Sequence, residues 1–591
     1  DEASADDPRA TAAEFLARGL LVARAGAGFP AAVHTERFAC PARLCVTDEP
    51  RLAGVGGIGM LTLVVPPSSL ARALSTRRVL VRSPVSVQVI LGGRLRPFVC
   101  ARDVSLELLR RGLGDVVRRI EEERGAPVVL EFTGPSARLL SVGERCVVAA
   151  LAPQVGAAAA LFVSDERTEV FLRDQRRSKA HRVLAPDAGA PCEEVFNVDL
   201  GAVDPLASDE QGQVRPVRDL AGRPVTQAIL GGDSGASLRD LLAAAALLKS
   251  KRVPSRLDFL LATPSRQMLE VLAATGALAD LIATGARPIE PDARVVGGGL
   301  YGPVRGGLSL RTSDPQPRTG RPSAVVVSAE TLAYAVATGE VGDPRAFKRP
   351  VRVTVPRMLP TDDVLVARRR DRVDSAGASR PPGKASQAST PGLPGSVYWR
   401  AAETLDLVDG ASIAAMPAVG AVINKIRANG VAVLCATLDE VRDLSGHAHE
   451  LAKSVRAVLA PYIPGALVGL FSAAGIAAIR VEAGAVRDLA GQPTLLLPAP
   501  AHWPEQGAAS VSVGSARVEL TWLARGVERS WATGGSTVGS GASEPARVAA
   551  RPVAGAVAAE QGGARDLVDG PSSRGLAVLA RAATARGAPD H

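Results

Sequence analysis

Aromatic residues make up only 3% of this 591-residue chain, and cysteine occurs six times, at Cys40, Cys45, Cys100, Cys146, Cys192 and Cys435. Six cysteines this far apart cannot staple a chain of this length, so a disulfide scaffold is excluded and reduced, buried thiols in a cytoplasmic protein are expected. No C-x-x-C occurs, which removes the dense spacings of zinc ribbons and ferredoxin-type clusters. The start of the chain has neither the basic n-region nor the apolar h-region of a signal peptide. Long apolar runs are also scarce. The uncharged stretches 146–163 and 457–479 reach the length of a membrane span, but Pro153 and Gly156 break the first, and Pro461, Pro464, Gly465, Gly469 and Gly475 break the second. Both read as buried strand and helix pieces, so no membrane partner is expected.

Charge excludes less. The formal net charge of +9 comes from scattered arginine with one run, "ARRRDR" at 367–372. No basic patch is interleaved with aromatics and no nucleic-acid module signature is present, so nucleic acid is not an expected partner.

What the chain does have is core material, with 47% hydrophobic residues over several domains' worth of length. Through residues 1–365, short Val/Ile/Leu runs alternate with helical patterns. "RRVLVRSP" and "SVQVILGG" are followed by "SLELLRRGLGDVVRRIEEE", read as a helix, and "AAALFVS", read as a strand. That alternation predicts an α/β fold with parallel sheets. Residues 366–396, rich in Ser, Pro and Gly, read as a flexible linker, 397–530 as a second compact domain, and 531–591 as a disordered tail. An octapeptide recurs as "VRDLAGRP" (217–224) and "VRDLAGQP" (486–493), each time as a turn launching a strand.

The stretch "TQAILGGDSGASLRDLLAAAALLKSKRV" (226–253) reads as a buried strand, a Gly-Gly turn and an amphipathic helix, with Asp233 at the tip of the turn. Free N–H groups at such a helix start favour anions, which makes the turn a natural binding site. The plainer alternative is that Asp233 and Ser234 solvate a loop while Ser237 and Asp240 form a capping box.

The order of segments resembles the aconitase and isopropylmalate-isomerase superfamily. The resemblance spans residues 10–350 and, less closely, 430–495. It is carried by "EFTGPSARLLSVGERCVVAALAPQVGAAAALFVSDERTEVFL" (131–172), "ATPSRQMLEVLAATGALADLIATGA" (262–286) and "VVSAETLAYAVATGEVGDPR" (326–345). It implies an aconitase-like three-subdomain α/β body, shortened here at its N-terminus, plus a linked C-terminal swivel domain.

Members of that superfamily hold a [4Fe–4S] cluster on three cysteines, whose open iron acts as a Lewis acid in dehydration. The resemblance places Asp233, Ala293 and Val296 at the three ligand positions, so the cluster is predicted to be absent. The family's Asp-Ser-His-Thr corresponds to Asp48-Glu49-Pro50-Arg51, and its helical asparagine and glutamate fall on Ala150 and Gln154. Its arginine-bearing loop corresponds to 313–321, with Asp314 and Pro315 replacing Asn-Arg and Arg321 left to bind a carboxylate. The swivel-domain Ser-Ser-Arg-Glu-His corresponds to 445–449, giving Ser445 as base, His447 in place of the substrate arginine, and His449.

Each residue also has a structural reading. Ser445 would cap a helix begun by "HELAKSVRAVLA". His447 and His449, two residues apart, do not share a helical face. Arg321 could be a solvated surface residue, and Asp48 and Asp233 could be turn residues.

Two functions are therefore open. One is a cluster-independent hydro-lyase or isomerase acting on a hydroxy acid or other carboxylated metabolite. In it, Asp48, Ser445 and His449 are catalytic, while Arg321, His447, Asp233 and Ser234 bind substrate or, through a carboxylate, a divalent metal. The other is a non-catalytic protein with a binding or regulatory role. RNA binding, which cluster-free relatives of aconitase adopt, is a third.

Overall fold

The computed structural model describes residues 15–16, 20–361, 366–367 and 402–529, apart from 24–25, 66, 77, 80, 188, 293–299, 303–305, 315–323, 415–429, 453, 505–507, 514–515 and 527. Most of the linker read at 366–396 and all of the tail read at 531–591 lie outside these residues.

Among the described residues, three sheets of four or seven strands organise the chain. Ahead of the first lies β1 (Val22–Ala23), and β2 (Leu44–Thr47) and β3 (Leu61–Val64) pair in parallel. The first sheet contains β4 (Val85–Gly92), β5 (Val128–Thr133), β6 (Ala159–Phe162) and β7 (Glu194–Asp199) in the order β6-β5-β4-β7, all parallel. Its central strand β5 is buried almost continuously, the pattern of a parallel sheet covered on both faces.

The segment read as one helix over 105–123 is two, Ala101–Arg110 and Leu113–Arg124. Gly112 sits between them at φ 77°, a left-handed conformation that ends the first helix although the apolar periodicity continues past it. "RRVLVRSP" is not a strand among the described residues; pairing begins at Val85.

The second sheet runs β12-β11-β10-β13-β14-β8-β9, with β8 (Leu206–Ser208), β9 (Val214–Pro216), β10 (Gln227–Gly231), β11 (Asp258–Ala262), β12 (Arg287–Pro288), β13 (Ser309–Arg311) and β14 (Ala324–Val327). Strands β10 to β14 are parallel, and β8 closes the far side antiparallel to β14. The two-residue β15 (Val366–Ala367) returns to pair with β1, so the body extends just past residue 365.

The third sheet takes the order β20-β16-β17-β18-β19-β22-β21, from β16 (Glu403–Asp409), β17 (Val431–Leu434), β18 (Val455–Ala460), β19 (Ala477–Val481), β20 (Thr494–Leu497), β21 (Ala509–Val513) and β22 (Ala516–Trp522). Alternate residues of its parallel centre feed two cores, Ala432, Leu434 and Leu459 on one face and Val431, Val433 and Val458 on the other.

The 457–479 run is the expected strand, helix (Gly465–Ala474) and strand, and 146–163 is a helix end, a short turn and β6. "HELAKSVRAVLA" departs from expectation: helix covers only Ala448–Leu451, and Val455–Ala460 is a strand held between β17 and β19. The octapeptides differ from each other, one a short 3-10 turn before β10 and the other the last turns of a helix before β20. No single helix among the described residues is long and apolar enough to cross a membrane.

The third unit docks on the first through side chains. Tyr462 donates its hydroxyl to the Glu121 carboxylate at 2.8 Å, the Gly465 N–H donates to the same oxygen at 3.1 Å, and Arg82 pairs with Glu528.

Candidate active-site cleft

Strand β10 ends in the turn Gly231-Gly232-Asp233-Ser234, and the helix Leu238–Leu248 follows. The capping box read from sequence is present: Ser237 Oγ accepts from the Asp240 N–H at 3.3 Å, and Asp240 Oδ2 accepts from the Ser237 N–H at 2.8 Å. The turn itself needs glycine. Gly231 and Gly232 sit at φ 101° and 81°, and a Cβ on Gly231 would lie 2.0 Å from the Ala262 carbonyl oxygen. Ser234, at φ 52°, holds a left-handed conformation that a β-carbon makes costly.

This geometry turns Asp233 inward. The residue is 7% exposed; its Oδ1 accepts from Ser234 Oγ at 3.3 Å, while Oδ2 has no hydrogen-bond donor. Burial pushes its carboxyl up to about 7, against the opposing pull of Arg51 and with a further push from Glu49. The Arg51 guanidinium is 3.7 Å from Oδ2 and is itself gripped by Glu49, through bonds of 2.8 and 2.5 Å. Glu49 caps the 3-10 helix Pro50–Ile58, so the cap that starts the helix also aims Arg51.

Pro50, Ala150 and Pro153 wall a cleft over Asp233 and Ser234, and Arg51, Arg102, Gln154 and Asp314 supply its remaining polar lining. Gln154 Nε2 donates to Asp314 Oδ2 at 2.8 Å. The Arg102 guanidinium, 5% exposed, donates to the Ser234 carbonyl at 2.7 Å.

Positions aligned by resemblance from four distant segments thus meet in one place: Asp233, Ala150 with Gln154, Asp314, and Arg51 from the 48–51 tetrad. Asp48 does not join them. It is exposed, because the chain turns at Pro50 and presents Arg51 instead. Arg321, Ala293 and Val296 lie outside the described residues. Ser445 and His447 do not line the cleft. Ser445 ends the helix Leu438–Ser445 and donates to the Arg442 carbonyl at 2.7 Å, so it does not cap the next helix; exposed His447 takes that position. His449 falls on the short helix Ala448–Leu451, its side chain outside the described residues.

Arg102 was not legible as a site residue. The one local hint is a buried cation in the first turn of the helix Ala101–Arg110, where the helix dipole disfavours positive charge.

No cysteine lines the cleft. Cys100 lies buried at the cap of the helix that carries Arg102, and burial, with Asp240, Asp103 and Glu330 nearby, holds its thiol well above the usual range. Burial likewise pushes Cys45 to about 11 and Cys146 to about 12. Among the described residues no group of three or more His, Cys, Asp or Glu side chains is placed to hold a metal ion.

The polar cleft lies at the carboxyl end of a central parallel strand, the place where α/β folds commonly build ligand sites. Residues 10–208 match the sequence model of the aconitase family (aconitate hydratase). Over 329 residues the chain is 27% identical to the 3-isopropylmalate dehydratase large subunit 2 of Archaeoglobus fulgidus, covering 54% of this chain and 77% of that subunit. The probable 3-isopropylmalate dehydratase large subunit of Methanothermobacter thermautotrophicus is 26% identical over 315 residues (52% and 73%), and large subunit 1 of Thermotoga maritima is 25% identical over 338 (56% and 79%). These matches make the chain similar to members of the aconitase and isopropylmalate-isomerase superfamily and support that relationship.

Proposed function

We propose that the cleft is the active site of a hydro-lyase or isomerase-type reaction on a hydroxy acid or other carboxylated metabolite, run in the cytoplasm without a [4Fe–4S] cluster. The relatives named as dehydratases support the reaction class. The observation that carries the reading is Asp233: a buried carboxyl in the cleft lining, with one oxygen that accepts no hydrogen bond and a pKa raised by burial to about 7. Dehydration needs a base for a carbon-bound proton and an acid for the departing hydroxyl, and a group poised near the working pH serves either role. Arg51 supplies a cation for the substrate carboxylate, and Gln154 and the Ser234 hydroxyl supply neutral hydrogen bonds.

The donor set does not fit the family's cluster. Three thiolates are needed, and the corresponding positions hold Asp233, Ala293 and Val296, one carboxylate and two side chains with no ligand atom. A hard divalent cation would find two carboxylates in the lining, Asp233 and Asp314, and Asp314 is already engaged by Gln154. The side chains suit a hydrogen-bonded organic acid better.

A second reading, a non-catalytic binding protein, draws on Pro50 and Ala150, which bring no acid–base group to positions where the family carries reactive ones. The test is purification under anaerobic conditions with iron and sulfide analysis, followed by assay of malate, citrate and 3-isopropylmalate for dehydration, with Asp233→Asn alongside. Iron-free protein that turns over one of these acids, and loses at least a hundredfold in Asp233→Asn, is the expected result. Stoichiometric iron and sulfide would sink the cluster-free mechanism. Binding of an acid without turnover would select the second reading.

A further inference from the structure

Arg102 stands in an unfavourable place. It is only 5% exposed, it lies in the first turn of the helix Ala101–Arg110, and burial lowers its pKa. One bond is formed, from a terminal nitrogen to the carbonyl of Ser234 at 2.7 Å, which holds the left-handed residue next to Asp233. Its Nε–H is buried with no acceptor. A guanidinium presents donors in a fixed planar fork, so anchoring one edge on Ser234 fixes the direction of the rest. Arg102 lines the same cleft as Asp233, whose Oδ2 accepts no hydrogen bond although Arg51 lies 3.7 Å from it. Two complementary buried groups left open in one cleft fit a ligand that accepts from one and exchanges a proton with the other.

We propose that Arg102 is the second anchor of the site: it holds the Asp233 turn through Ser234 and receives a carboxylate oxygen of the substrate on its open guanidinium edge. This rests on the cleft being a carboxylate site, and it adds a specific demand: the bound acid spans from Arg102 toward Asp233.

Calorimetric titration of the whole chain with malate, citrate and 3-isopropylmalate, each beside its amide, tests it. For the acid that the wild-type protein binds, Arg102→Ala should weaken binding about tenfold to a hundredfold, since a hydrogen bond to a charged group contributes about that much. The amide, without the charge, should change less than about threefold. Arg102→Lys keeps the cation and one bond but not the fork, and should fall between the two with a near wild-type melting temperature. A folded variant that binds the acid as tightly as wild type would overturn the proposal. If neither variant folds, a wild-type complex structure decides, and a carboxylate oxygen farther than about 3.5 Å from every Arg102 nitrogen would overturn it. If the wild-type protein binds none of the three acids, the carboxylate reading of the cleft falls first, and this inference with it.

Discussion

The Arg51 guanidinium lies 3.7 Å from the Asp233 carboxylate but hydrogen-bonds Glu49, not Asp233. The arginine is close enough to pull on the charge of Asp233 and is kept from saturating it. Burial, only partly offset by Arg51, therefore holds the carboxyl at about 7, with one oxygen accepting no hydrogen bond.

The protonation of Asp233 then makes stability and function depend on pH in a defined direction. Its folded pKa of about 7 is raised above the ordinary 3.8, so the folded state binds the proton more tightly. The stability this contributes is full below about 4 and is lost as pH rises toward 7, by on the order of 2–4 kcal/mol. Asp233→Asn should therefore melt higher than wild type at pH 8, with a flatter profile between pH 5 and 8, while losing activity. Arg51→Gln removes the opposing cation and frees Glu49, so the pH profile of the cleft should move upward. Melting curves of the three proteins across that range check both claims. A less stable Asp233→Asn at pH 8 would contradict the first.

Glu121 governs the docking of the third unit. Its carboxylate accepts from Tyr462 and from the Gly465 N–H at the start of the helix Gly465–Ala474, while burial raises its pKa to about 6. The same sign applies: docking is favoured below the ordinary 4.5 and weakens as pH rises through about 6. Glu121→Gln keeps an acceptor without the buried charge and should flatten this dependence. Glu121→Ala leaves two donors unmatched and should cost about 2–4 kcal/mol, seen as faster hydrogen exchange at Gly465 and a separate, earlier calorimetric transition of the third unit. A single unshifted transition in Glu121→Ala would remove Glu121 from the docking account.

The parts of this structure that were legible in the sequence are the local ones. The strand, glycine turn and capping box of 227–248 depend on neighbours within a few residues, and all are present. The break at Gly112 was missed because the apolar period runs through it and only the backbone angle decides. Val455–Ala460 was read as helix, yet parallel partners on both sides, at Val431–Leu434 and Ala477–Val481, fix it as a strand. Of the tetrad that the resemblance pointed to, Pro50 and Arg51 line the cleft and Asp48 does not: the 3-10 helix at Pro50 directs Arg51 inward and leaves Asp48 exposed. Arg102 had no signal of its own, because the carbonyl it holds belongs to Ser234, 132 residues away in sequence.

The turn beneath Asp233 gives the sharpest mechanical test, because two glycines with similar backbone angles differ in their surroundings. Gly222, at φ 81°, has open space where a Cβ would go, so Gly222→Ala should pay only the conformational cost of about 1 kcal/mol. Gly231, at φ 101°, would drive its Cβ to 2.0 Å from the Ala262 carbonyl oxygen, on the strand paired with β10. That contact cannot be relieved by a side-chain rotation, so Gly231→Ala must displace backbone. The expected loss is about 3 kcal/mol or more. The displacement would fall at the residue that opens the turn, so a Gly231→Ala protein that still folds should also bind carboxylates poorly, whereas Gly222→Ala should bind as wild type. Denaturant unfolding and acid titration of the two variants measure both effects. Equal stability losses would show that the β10 end yields, and that Asp233 is not held by a rigid turn.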